Sequence, residues 1–92
     1  MQTQKLSIFI PTFNRTLSVL KAVESIGIAY ENEVEIVIVD NGSSENIFQE
    51  LKNYLLPFRN VILVKNEINI GMVANWNKAM ELTTGEWVSM MC

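Results

Sequence analysis

Cysteine occurs once in these 92 residues, at Cys92, so an internal disulfide is excluded and a reducing, cytosolic setting is the simplest reading. Basic residues are few: seven Lys and Arg are scattered among ten Asp and Glu, for a net charge of -3. A phosphate-tracking nucleic-acid surface needs a clustered excess of the opposite sign, so that class is set aside. No basic-then-apolar leader precedes the first apolar run, and no run approaches the roughly 18 residues of a membrane span. Any membrane contact is expected elsewhere than in these residues.

What is there is an ordinary globular composition, 49% apolar with both signs of charge mixed in, and the chain reads as one domain over residues 1–92. Glu86-Trp87-Val88-Ser89-Met90-Met91-Cys92 reads as a strand with no turn, cap or polar tail after it. From this we expect a piece of a longer domain. A chain of this size buries only a little over about 60% of its unfolded surface, so marginal stability is expected.

Leu6 to Ile10, Val34 to Val39 and Val61 to Val64 are short, branched, nearly continuous apolar runs, the pattern of parallel strands covered on both faces. Between them Val19, Leu20, Val23 and Ile26 recur at helical spacing, as do Ile47, Phe48, Leu51, Tyr54 and Leu55. Thr16 and Ser44 suit N-caps. A further stripe, Met72, Val73, Trp76, Ala79 and Met80, predicts core packing for a third helix, with Gly85 as its C-cap and Trp87 packed within the last strand. The order βαβαβαβ predicts an α/β fold: a mostly parallel sheet of about four strands with right-handed crossovers.

In such sheets ligands bind beyond the carboxyl ends of the strands, near the reversal of strand order. The first turn carries neither GxGxxG nor GxxxxGK[ST], so the backbone cradle of dinucleotide enzymes and P-loop enzymes is missing. Pro11-Thr12-Phe13-Asn14-Arg15 offers instead a backbone edge and an aromatic face. Phe13 could stack on a nucleobase for roughly 1–3 kcal/mol. Asp40, closing the second strand, could accept hydrogen bonds from a ribose or a base. Equally, Asp40-Asn41-Gly42 could be a turn in which Asp40 bonds its own backbone.

Ser7-Ile8-Phe9-Ile10-Pro11-Thr12-Phe13-Asn14-Arg15 and Glu35-Ile36-Val37-Ile38-Val39-Asp40-Asn41-Gly42-Ser43-Ser44 resemble the opening of family-2 GT-A glycosyltransferases. Asn69, Gly71, Asn75, Ala79 and Gly85-Glu86-Trp87 resemble that family's next helix and its lead into a metal-binding strand. The three segments span nearly the whole chain in the right order.

The resemblance implies part of a Rossmann-like GT-A three-layer sandwich with strand order 3-2-1-4, and a nucleotide-sugar donor, usually UDP-linked, whose nucleoside is held by Pro11, Thr12, Phe13 and Asp40. Asn14 belongs to the same turn. Arg15 either approaches a phosphate or is solvated, Lys65 is a weaker candidate of that kind, and Asn75 either faces the donor or bonds backbone. The family's D-x-D motif, which coordinates a divalent cation such as Mn or Mg, is expected beyond Cys92, as is the general base. No catalytic residue or metal ligand is therefore expected within these residues, and the parent enzyme would transfer a sugar with inversion to a saccharide, lipid-linked or protein acceptor. The alternatives are a sugar nucleotidyltransferase, which should have a Gly-rich first turn, and a non-catalytic α/β scaffold. An exposed sheet edge would also allow oligomers.

Overall fold

The computed structural model describes residues 6–26, 33–84 and 87–90. Strands and helices alternate as β1 (Leu6–Thr12), α1 (Leu17–Ile26), β2 (Val34–Asp40), α2 (Glu45–Leu55), β3 (Val61–Lys65), α3 (Met72–Leu82) and β4 (Trp87–Met90). All three pairings are parallel, as the alternation predicts, and the sheet runs β3-β2-β1-β4, the order that the family resemblance implies. Every residue of β2 is buried, the consequence of a central strand covered on both faces.

The two faces hold separate cores. Ile8, Ile10, Val34, Ile36 and Ile38 point to one face and meet Val19 and Val23 of α1 with Leu51 and Leu55 of α2. Phe9, Val37 and Val39 point to the other face, where Ala79 of α3 packs with Trp76 beside it. Thus two helices cover one face and a single helix the other.

Local sequence explains where the helices begin. The Thr16 carbonyl accepts the Leu20 amide at 3.0 Å, and α1 starts at the next residue. Ser44 caps α2 by accepting from the Ile47 amide at 3.4 Å, with Glu45 in the first turn and Lys52 in the last, each favourable to the helix dipole. Gly71 precedes α3 at a φ of 88° and supplies no side-chain cap.

Three expectations are corrected. On α3 the face turned to the sheet is Asn75 and Ala79, while Met72, Val73 and Met80 are exposed and Trp76 is half-buried. One helix cannot cover this whole face, so its apolar stripe is only partly used. Trp87 is 72% exposed rather than packed, because β4 is an edge strand with its side chains open. Tyr54 lies off the buried stripe of α2 and is exposed. Gly85, Glu86, Met91 and Cys92 lie outside the described residues.

Candidate functional site

The carboxyl ends of β1 and β2 and the first turn of α3 enclose an open cleft of about 370 Å³. Pro11, Thr12, Phe13 and Arg15 come from the end of β1 and its turn, and Met72, Asn75 and Trp76 from α3. Asn41 and Asn69 complete the lining. The cleft lies beside β1, whose neighbours are β2 and β4, so it sits where strand order reverses. Phe13 is 45% exposed there, leaving a ring surface for a planar ligand. Arg15 alone among the lining residues carries charge, so the site offers aromatic faces, amides and one cation.

The turn that carries Phe13 is braced from β2. Asn14 adopts the left-handed conformation, at a φ of 52°, which asparagine tolerates better than most residues. Its amide donates to Ser43 Oγ at 2.7 Å, and its side-chain oxygen accepts from the Ser44 amide at 3.4 Å. The Ser43 hydroxyl in turn makes a short hydrogen bond to Asp40, which also accepts the Ser43 amide at 3.2 Å. A buried carboxylate thereby orients a hydroxyl, and the hydroxyl holds the neighbouring turn.

Asp40 accordingly does not line the cleft: it is 2% exposed and turned into its own loop. Of the two arrangements open in the sequence, the turn is the one present, because Ser43 supplies two donors three residues on. Asn14 likewise acts through the brace. Pro11, Thr12, Phe13, Arg15 and Asn75 do converge on the cleft. Lys65 lies elsewhere, paired with Glu45 at 2.9 Å and 5.4 Å from the Phe48 ring centroid.

The three lining asparagines, with Asn66 behind them, form a set whose joint role the sequence reading missed. Asn41 Oδ1 accepts from the Ile70 amide at 2.9 Å and from Asn66 Nδ2 at 3.1 Å, while its Nδ2 donates to Asn69 Oδ1 at 3.0 Å. Asn66 Nδ2 also donates to Asn75 Oδ1 at 2.8 Å, and Asn75 Nδ2 reaches the Val39 carbonyl at 3.2 Å. These bonds fasten the β3–α3 loop to the end of β2. The fit is close enough that a Cβ on Gly42 would lie 2.6 Å from the Asn69 nitrogen. The available signal was the repetition of Asn at 41, 66 and 69, in the loops after β2 and β3, with Asn75 four residues into α3.

Among the described residues no three His, Cys, Asp or Glu side chains gather where a metal ion could be held. No helix among them is long and apolar enough to cross a membrane.

The family model described as Glycosyl transferase family 2 matches residues 7–91. The chain belongs to that family. One relative, an uncharacterized glycosyltransferase of Mycoplasma genitalium, is 35% identical over 92 residues, covering 95% of this chain and 31% of that protein. A second, from Haemophilus influenzae, is 31% identical over 83 residues, covering 90% of this chain and 27% of that protein. Among solved structures, S. aureus TarS 1-349 superposes with a TM-score of 0.75 at 25% identity, over 96% of this chain and 27% of that one. A mannosyltransferase from Pyrobaculum calidifontis, solved with GDP-Man and Mn2+, gives 0.70 at 20% identity, over 95% and 26%. At that identity the likeness is one of fold. The family 2 chain described here spans about a third of the length of the curated relatives.

Proposed function

We propose that this chain forms the nucleotide-binding part of a glycosyltransferase that moves a sugar from a nucleotide diphosphate donor, UDP-linked in the first instance, to a hydroxyl acceptor. The observation that carries the reading is the cleft at the strand reversal, lined by Phe13 and Trp76 with Arg15 at its edge, in a chain of this family. Phe13 and Trp76 offer apolar ring faces to a base, the exposed Asn69 amide offers a donor to base or ribose beside the wall that Asn41 and Asn75 form, and Arg15 offers charge to a phosphate. Pro11 and Thr12 contribute the β1 edge of the wall. Asp40 and Asn14 act from behind, by fixing the turn that presents Phe13.

Cell-surface polysaccharide or glycoconjugate synthesis in a cytoplasmic setting is the role we assign the whole protein, with a saccharide, lipid-linked or protein acceptor. The mannosyltransferase of the same fold was solved with a nucleotide sugar and a divalent cation. A divalent cation, Mn or Mg, is the cofactor we assign to the whole protein, with ligands other than the described residues.

Calorimetric titration of the chain with UDP, GDP and dTDP tests the reading. One of the three should bind, and Phe13→Ala should weaken it about five-fold or more, the equivalent of a lost stacking contact of about 1 kcal/mol. Absence of binding to all three nucleotides at millimolar concentration would overturn the reading.

A further inference from the structure

We propose that Lys78, which does not line the cleft, is a positioning residue that sets the geometry of the amides which do. The inference rests on the reading of the cleft as a nucleotide site, and its geometric half stands apart from that reading.

The direction of each hydrogen bond fixes how these amides are turned. The Val39 carbonyl can only accept, so Asn75 must present its Nδ2 to it and its Oδ1 away from it. The Ile70 amide can only donate, so Asn41 must present Oδ1. Both Oδ1 atoms then face Asn66, whose Nδ2 donates to each, at 3.1 and 2.8 Å. One group is left to satisfy: Asn66 Oδ1, in a side chain buried to 4% exposure. Lys78 Nζ donates to it at 2.5 Å from the second turn of α3. An ammonium has donors and no acceptor, so it fixes which end of the Asn66 amide points inward.

Without that donor, Asn66 has reason to rotate and carry its oxygen towards water. Rotation would withdraw Nδ2 from Asn41 and Asn75 together and loosen the β3–α3 loop at Ile70. Two of the three amides lining the cleft would lose their set position. Lys78 thus acts at the cleft through Asn66, which is also outside the lining.

The test uses Lys78→Met, which keeps most of the aliphatic stem, Asn66→Ala, and the double variant. Amide hydrogen exchange comes first. In both single variants the Ile70 amide should exchange about ten-fold faster, while core amides such as Val37 and Leu51 keep wild-type protection. An unchanged Ile70 amide in a folded Lys78→Met chain would overturn the proposal, whether or not a nucleotide binds.

Affinity for whichever of UDP, GDP and dTDP binds the wild type is the second readout. Lys78→Met should raise Kd about three- to ten-fold, and the double variant should lose no more than Asn66→Ala alone, because the two residues act in series. The loss should be equal at low salt and at about 0.5 M salt, where attraction between a distant ammonium and a phosphate is screened. A loss that disappears in high salt, or losses that add in the double variant, would overturn the positioning role. If the wild type binds none of the nucleotides, the functional reading fails and the exchange result alone decides the geometric claim.

Discussion

Glycine 42 shows how one missing side chain sets the site. Its φ of 86° is in the left-handed region, and an added Cβ would meet backbone atoms of Ile68 and Asn69 at 2.7 and 2.6 Å. Gly71 has nearly the same φ, 88°, with open space around the Cβ position. Alanine at Gly71 should therefore cost only the conformational strain, about 1–3 kcal/mol, whereas alanine at Gly42 should cost more because the β3–α3 loop must also retreat. Urea unfolding of the two variants separates strain from clash; equal losses would show that the loop moves freely. At Glu45 the effect is electrostatic. The bond from Gln49, then that from Lys65, holds its carboxyl below the usual glutamate range although the residue is exposed. A lowered folded value means that these bonds stabilise fully above the unfolded value and are lost as pH falls through the folded one. Glu45→Gln should therefore lower stability slightly at neutral pH and leave it unchanged at pH values below the folded one, which flattens the acid limb, as read from Tm against pH.

At the scale of elements, α3 is tied down at both ends by polar contacts rather than by a broad apolar face. Its first turns are held by the asparagine set, and the segment following it is held by Glu35. This buried carboxylate accepts from the Ser7 hydroxyl at 2.9 Å and from both the amide and the hydroxyl of Thr84, at 2.9 and 2.8 Å. Glu35→Ala should destabilise the chain by about 1–3 kcal/mol and raise exchange at Thr84 and in β4 before the rest of the sheet. A uniform rise in exchange would mean that Glu35 supports the whole fold instead. These contacts also show how far the sequence could be read. Apolar runs gave the strands, and their alternation with helical stripes gave the parallel pairing, because burial on both faces leaves a one-dimensional trace; the 3-2-1-4 order came with the family resemblance. The sheet-facing side of α3 was not legible, since its inner residues are a hydrogen-bonded Asn75 and a small Ala79, neither of which stands out in a hydrophobic count. Pro11, Thr12, Phe13 and Arg15 at the cleft were legible from their place after a strand. Asp40 was not: a carboxylate facing a ligand and one closing a turn have the same sequence, and only Ser43's contacts distinguish them.

Across the whole molecule the two faces are unequally covered. Met72, Val73 and Met80 on α3 are exposed, as are Trp87, Val88 and Met90 on β4. By register Val88 lies opposite Ser7 and Met90 opposite Phe9, which places both on the face that α3 half covers. Exposed apolar groups beside an open strand edge favour association. The 92-residue chain alone should therefore self-associate with rising concentration in sedimentation experiments, and Val88→Lys should shift it towards monomer. A wild-type chain that stays monomeric at high concentration would show that this face is tolerated in water.

Strand order also bears on the sequence of events in folding. β4 joins not its predecessor β3 but β1, so the Leu6↔Trp87 pair ties together the two extremes of the described chain. The β1–β2–β3 ladders can form from nearer partners, whereas the last ladder must await closure of almost the entire polypeptide, and only four residues then share its entropy. The edge nearest the reversal point is thus the last to zip and the first to fray.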